Sequence, residues 1–476
     1  MRYFYILISM LVSCSLQSEI ALPDLGRPAT AVLSQQEAEK IGASVYRQLQ
    51  QQQLLFEDAV VTAYLQKLGQ RLLQSSPYER QNAQRFTFFI VNDATINAFA
   101  LPGGYIGIHT GLITACKNES ELASVIAHEI AHITQDHLQR RLDAASSNQL
   151  PLTAAIIAAI VTGRGEVSEA VIASAMARNV QQALQFSRDN EREADSVGIK
   201  ILAAAGLEPG AMAHFFQQLS SQSRLYGTID GSSYNFLQTH PVTTDRIADA
   251  QGRATLLKQE GSQSNIKRND DEAFAIALIR TTLASGTTTA VKLNLFTEES
   301  RPGRYARALL QQQQRAFSEA LSLITTVVEE KPHEVAYLLL YSELLQQQGN
   351  RQQAISLLQQ ELTLAPHQFE LGMALADHFI DLPDLAKAKT LVTTLQRHHP
   401  DNLALLQKLA QIEGLSNNPA AANLATAEAL ILQGDLFSAY RHLLVAQRQA
   451  ANDFYLASRI EAKISLLKSS KEISER

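Results

Sequence analysis

Three prolines, Pro332, Pro366 and Pro400, stand 34 residues apart, and two other sets keep the same step: Ala320, Ala354, Ala388 and Ala422, and Ala308, Ser342, Ala376 and Ala410. A period of that length, held in three registers, leaves few folds open. Each unit is one pair of helices, too small to bury its own apolar face, so neighbouring units must stack. Small residues fall where paired helices approach closely, and the proline closes the second helix of each pair. Gly434 and Ala439 mark a further unit out of phase with the first. The C-terminal half is therefore predicted to be an all-α solenoid of four or five repeats over residues 272–470. Its histidines, including His398 and His399, have no acidic or cysteine neighbours at ligand spacing and read as solvated.

The N-terminal half follows different periods. Residues 33–73 read as two amphipathic helices, with Ser34 capping the first ahead of Glu37. Then come three short β-rich runs: Phe86 to Val91, closed by Asn92-Asp93; Ile96 to Leu101; and Tyr105 to Ile108. Pro102-Gly103-Gly104 is the turn between the last two, and Pro102 fits a sheet only at its edge. A strand beside an active-site helix can hold an extended peptide by backbone pairing. A hairpin that only completes the core would look the same.

Directly after this small sheet stands His128-Glu129-Ile130-Ala131-His132. Asn118 with Glu121 resembles a helix cap and its partner, and Leu122, Val125, Ile126, Ile130 and Ile133 recur at helical spacing. At roughly 100° per residue, His128 and His132 lie one turn apart on one face. Two imidazoles so placed can bind a single Zn²⁺, leaving Glu129 free to act as a base toward water. A buried helix with two incidental histidines would carry the same five letters.

A second motif, Glu191-Arg192-Glu193-Ala194-Asp195, opens another helix. Glu191 and Asp195 share a face, whereas Glu193 points roughly 200° away from Glu191. Glu191 is thus the candidate third ligand, completing a His₂Glu set that leaves the fourth position to water. Asp195 is the candidate acceptor that orients a ligand imidazole. Farther on, Thr239-His240-Pro241 is followed by Arg246. His240 can fill the open zinc position or stabilise an oxyanion. Arg246 can serve the oxyanion or sit in a structural ion pair.

A net charge of −6 and 18% charged residues give no sign of nucleic-acid binding. The first residues differ from the rest: after Met1-Arg2, an apolar run from Tyr3 to Val12 reads as the core of a secretory signal spanning 1–18. Leu11-Val12-Ser13-Cys14 resembles a bacterial lipobox, which would lipidate Cys14 and anchor the chain at the outer-membrane surface. Ser13-Cys14-Ser15 also satisfies ordinary signal cleavage. Either cut leaves Cys116 as the only unmodified cysteine. Residues 151–177 hold two apolar helices around Gly163-Arg164-Gly165, each too short to span a bilayer; they read as core, lid or membrane contact. The polar segment 259–271 reads as a linker.

Taken together and in this order, the three motifs resemble the HtpX and CAAX-prenyl-protease family of zinc metallopeptidases. The 34-residue units resemble tetratricopeptide repeats. With a signal in front and no long apolar spans, the whole arrangement is similar to the periplasmic members that serve β-barrel assembly. The resemblance implies an α+β fold: a mainly helical, zincin-type metallopeptidase domain (19–258) with a small β-sheet, then the repeat solenoid. It implies one Zn²⁺ on His128, His132 and Glu191, with Glu129 as general base and acid. Asp195 braces a ligand, and His240 approaches the metal as stabiliser or gate. Asn97, Ala98, Phe99, Ala100, Leu101 and Gly103 belong to the substrate-aligning strand. It also implies unfolded or stalled outer-membrane proteins as substrates, and an assembly machine recruited through the repeats. An assembly adaptor with a purely structural zinc is the rival expectation.

Overall fold

The computed structural model describes residues 34–76, 86–138, 140, 187–226, 235–259, 271–286, 299–382, 384–450 and 453–468. The stretch read as a signal, with Cys14, the apolar stretch 151–177 and the interior of the segment read as a linker lie outside the described residues. Helix α1 (Gln35–Gln51) starts on a full capping box, in which Ser34 and Glu37 each accept from the other's backbone N–H. Helix α2 (Ala59–Gln74) is capped by Asp58.

Strands β1 (Thr87–Val91), β2 (Ala98–Leu101) and β3 (Tyr105–His109) form one sheet in the order β1-β3-β2. β3 runs antiparallel to β2 across the Pro102-Gly103-Gly104 turn and parallel to β1. The period-two alternation divides the side chains between two cores. Phe88, Ile90, Ala98, Ile106 and Ile108 face the helical interior, and Phe89, Val91, Phe99 and Leu101 face Val45 and Leu49 of α1. A sheet covered on both sides explains why its strands are apolar almost throughout.

Helix α3 (Thr110–Ala115) leads to α4 (Glu119–Thr134), the central helix of this half. Every residue from Glu119 to His132 is buried. Charges on such a helix need partners: Glu119 pairs with Arg71 at 3.3 Å. Asn118 accepts from the Glu121 N–H as expected, but Glu121 reaches past it to the backbone N–H of Lys117 at 2.8 Å. Helices α5 (Arg188–Ala204) and α6 (Ala211–Tyr226) pack on α4, and the short α7 (Asn235–Thr239) precedes α8 (Thr244–Gln259). Cys116 is buried and free, and burial pushes its thiol well up.

Helix α9 (Asp271–Ala284) belongs to two cores at once. Phe274, Ala277 and Leu278 join the interior around α4, while Ile276 and Ile279 join the first repeat. The repeats then run as α10 (Arg301–Gln313) and α11 (Phe317–Glu330), α12 (Val335–Gln347) and α13 (Arg351–Leu364), α14 (Phe369–Asp381) and α15 (Leu385–His398), α16 (Leu403–Leu415) and α17 (Pro419–Leu432), and α18 (Leu436–Gln449) and α19 (Phe454–Lys468). First helices begin at 301, 335, 369 and 403, and the fifth begins at 436, one residue early. The out-of-phase mark is Ala439, which stands three residues into that helix, as Ala320, Ala354, Ala388 and Ala422 stand in second helices. The solenoid is tied to the N-terminal half at two places, near its start and after its fourth helix pair. Arg280 binds the α2 cap Asp58 at 2.8 Å and the Tyr305 hydroxyl at 2.7 Å. Far along the chain, Gln51 of α1 donates to the Gln433 carbonyl at 2.8 Å.

Candidate metal centre

Helix α5 lies close enough to α4 to bring its polar stripe against the two histidines. The close approach is at Gly198, where a Cβ would stand 3.1 Å from the His128 backbone nitrogen. Glu191, Asp195, Gly198 and Leu202 follow at helical spacing and are all buried. Ser187 caps α5 by accepting from Asn190, so Glu191 sits in the first turn, where the helix dipole favours a carboxylate.

Four side chains converge there: His128, His132, Glu191 and His240, each offering a ligand atom within 4.8 Å of the others. The Nε2 atoms of His128 and His132 are 3.0 Å apart. His240 Nδ1 is 3.3 Å from His128 Nε2 and 3.0 Å from Glu191 Oε1, and Glu191 Oε1 is 3.4 Å from His132 Nε2. A tetrahedral ion with bonds of about 2.0–2.1 Å has ligand edges of roughly 3.3–3.4 Å. The spacing and the nitrogen and oxygen donors therefore fit one small divalent cation.

The surroundings complete the set. His128 Nδ1 lies 3.0 Å from Asp195 Oδ1. Arg246 grips Asp195 with Nε at 2.7 Å and Nη2 at 2.8 Å, and its Nη1 reaches Glu191 Oε2 at 2.7 Å and the Pro241 carbonyl at 2.8 Å. All its nitrogens are thus engaged with acidic or carbonyl oxygens, the ion-pair placement. His240 stacks on Phe236, with ring centroids 4.8 Å apart. Glu129 is buried beside the cluster: His240 Nε2 is 3.6 Å from its Oε1, and neither oxygen has a hydrogen-bond partner of normal geometry among the described residues.

Burial raises the Glu129 carboxyl above its usual range, against the pull of His240 and His128. Burial would do the same to Glu191, but His240, His132 and His128 outweigh it and hold that carboxyl well below its range. Burial drives His132 well down. For His240, burial is overcome by Glu191 and Glu129, and its imidazole is raised.

Of the strand residues, β2 forms the outer edge of the sheet and packs against α4, and the Ala100 backbone N–H faces Glu129. Asn97 lies just before the strand and is buried. Gly103 stands apart from this edge. It sits in the turn under α1, where a Cβ would meet the Glu39 Cα at 2.5 Å, so it is covered by the chain itself rather than open to a peptide. One buried neighbour escaped the sequence reading: His137, whose Nδ1 is 2.9 Å from His132 Nδ1. Glu193, pointing away from Glu191 as expected, meets His137 Nε2 at 3.0 Å.

A buried two-histidine helix, a carboxylate from a second helix and a free glutamate define a metallopeptidase of the HExxH class, carried in front of a helical-repeat solenoid. Residues 59–254 match the model of peptidase family M48, and 345–412 match a tetratricopeptide repeat model. The chain is 30% identical to the beta-barrel assembly-enhancing protease of Yersinia pestis, over 95% of this chain and 93% of that one. It is 34% identical to a putative beta-barrel assembly-enhancing protease of Vibrio cholerae, over 68% and 67%. The mitochondrial metalloendopeptidase OMA1 of Schizosaccharomyces pombe is 27% identical over 39% of this chain and 51% of its own. The chain belongs to the beta-barrel assembly-enhancing protease group of peptidase family M48, and it is a metalloprotease with tetratricopeptide repeats.

Proposed function

We propose that this chain is an exported zinc endopeptidase, acting in the periplasm on misfolded or stalled outer-membrane proteins. The observation that carries the reading is Glu129: a buried carboxylate that has no hydrogen-bond partner of normal geometry among the described residues, beside four clustered metal donors. Leaving such a group unsatisfied costs stability, and the cost is understandable where a proton must be accepted.

His128, His132 and Glu191 would hold the ion. Zinc, when bound, polarises a peptide carbonyl and acidifies water toward neutrality. Glu129 Oε1 takes the proton of the attacking water and passes it to the leaving amine nitrogen. Asp195 keeps the hydrogen of His128 on Nδ1, so that Nε2 presents its lone pair. The open edge of β2 would align an extended substrate by backbone pairing. The relatives' names support β-barrel assembly as the setting, and the repeats would recruit a partner from that machinery. The proposed organisation is a signal at 1–18, the peptidase domain at 19–258, a linker at 259–271 and the repeats at 272–470. Attachment to the outer membrane would depend on lipidation of Cys14.

The second reading, an assembly adaptor with a structural ion, has one observation on its side: His240 supplies a fourth protein donor, and structural zinc sites are closed by four. Glu129→Gln separates the two. The endopeptidase reading expects the variant to keep its zinc and lose degradation of an unfolded outer-membrane protein by about 10²-fold or more. If parent and variant both fail to cleave yet equally rescue envelope assembly in a strain lacking the protein, the adaptor reading replaces it.

A further inference from the structure

We propose that His137 and Glu193 are positioning residues that hold the His132 imidazole with its Nε2 lone pair on the metal. The inference rests on the metallopeptidase reading and extends it to two side chains outside the ligand set.

The backbone places His137 by a sharp departure from the helix. α4 ends at Thr134, and Asp136 takes a left-handed φ of 51°. The chain turns back, and His137 becomes fully buried behind His132. The two rings meet with centroids 4.8 Å apart at 76°. Their Nδ1 atoms are 2.9 Å apart, and on its far side His137 Nε2 is 3.0 Å from Glu193 Oε2, which also accepts from Arg140 Nη2 at 2.9 Å.

Donor and acceptor rules then fix every hydrogen in the row. A carboxylate only accepts, so His137 Nε2 carries the hydrogen toward Glu193. A neutral His137 thereby has a lone pair on Nδ1. His132 must donate from its own Nδ1, which leaves its Nε2 bare and facing His128, Glu191 and His240. Glu193 dictates the tautomer of His132 through His137. Both histidines of the motif are thus braced from α5, His128 by Asp195 directly and His132 by Glu193 through one intervening ring. The roughly 200° between Glu191 and Glu193 is what lets one helix serve the front and the back of the same ligand.

The test measures zinc dissociation constants of the purified full chain by competition with a chromophoric chelator, for the parent, His137→Leu, His137→Asn and Glu193→Ala. Losing an outer partner of a ligand histidine weakens metal binding by about 10–100-fold. His137→Leu roughly keeps the volume and should show that loss while the metal-free protein still unfolds cooperatively. His137→Asn places a carbonyl oxygen near the Nδ1 position and should recover most of the affinity. Glu193→Ala should weaken binding several-fold. The proposal is overturned if His137→Leu binds zinc as tightly as the parent, or if His137→Asn is as weak as His137→Leu. Should His137→Leu not fold, Glu193→Ala decides, since that side chain is half-exposed, and an unchanged affinity overturns the brace. A parent that binds no zinc, and is indifferent to His132→Ala, would instead overturn the metal reading on which the brace rests.

Discussion

Arg246 and Asp195 form a buried two-pronged ion pair, 51 residues apart in sequence, that stands directly behind His128. The same guanidinium neutralises Glu191 and lies over the Phe216 ring at 4.8 Å. Removing one partner of a buried pair leaves the other charge uncompensated, at a cost of about 3–5 kcal/mol. Arg246→Ala strands two carboxylates at once. It should destabilise the metal-free protein by that order, as measured by urea unfolding in chelator. A bound dication returns positive charge to Glu191, so the deficit should narrow in zinc-loaded protein. An equal deficit with and without zinc would mean that Arg246 and the ion do not share Glu191.

The spacing of α4 and α5 is set by a residue that ligates nothing. At Gly198 a side chain would press on the backbone of Ala127 and His128 and on Met212. Gly198→Val should push α5 outward and move Glu191 and Asp195 away from the histidines together. Zinc affinity is expected to fall at least about tenfold, the scale seen when groups around a ligand are disturbed. Gly252, with nothing within 4 Å of its Cβ position, is the control: Gly252→Ala should bind zinc as the parent does.

What the sequence shows about this site depends on whether its residues obey a local period. His128, His132, Glu191 and Asp195 each lie on a helix, so spacing alone puts them on the right face. His137 follows the left-handed Asp136, where the 3.6-residue period no longer applies, and its partner Glu193 is 56 residues distant. The signal available was a histidine five residues past the motif and an acid two past Glu191. Neither has meaning until the chain between them is folded. The sheet divides in the same way. Alternation in β1, β2 and β3 assigns faces, but the order β1-β3-β2, with its parallel pair, is a tertiary choice that no single strand encodes. For the first four helix pairs, 34-residue spacing fixes each helix start, because every unit solves the same packing problem as its neighbour.

The small-residue positions of the repeats are not equivalent. Ala320, Ala354 and Ala388 are completely buried, whereas Ala422, in the same register, is only half-buried. Extra methylenes forced into a packed interior cost about 1–3 kcal/mol. Ala354→Leu should show that cost in thermal unfolding of the full chain, and Ala422→Leu should lose less than half as much. Equal losses would mean that the 34-residue pattern, rather than burial, decides where a small residue is required.

His109 closes β3 against the Asn97 carbonyl and is fully buried, with Nδ1 2.9 Å from the Thr95 hydroxyl and 3.8 Å from Asp93. Burial pushes its imidazole down to about 4, against the attraction of Asp93. An unfolded histidine titrates near 6.5, so between those values the unfolded chain takes up a proton that the folded chain refuses. The stability contributed by neutral His109 is therefore complete above pH 6.5 and lost as pH falls toward 4, at no more than about 1.4 kcal/mol per pH unit. His109→Gln removes the titration and keeps a polar partner for Thr95. Its unfolding free energy should decline less steeply than the parent's across that window, and the two curves should run parallel above pH 7. Because all other histidines are common to both proteins, the difference between the curves isolates His109. Parallel curves from pH 7 down to 4 would show that the imidazole charges freely in the folded sheet.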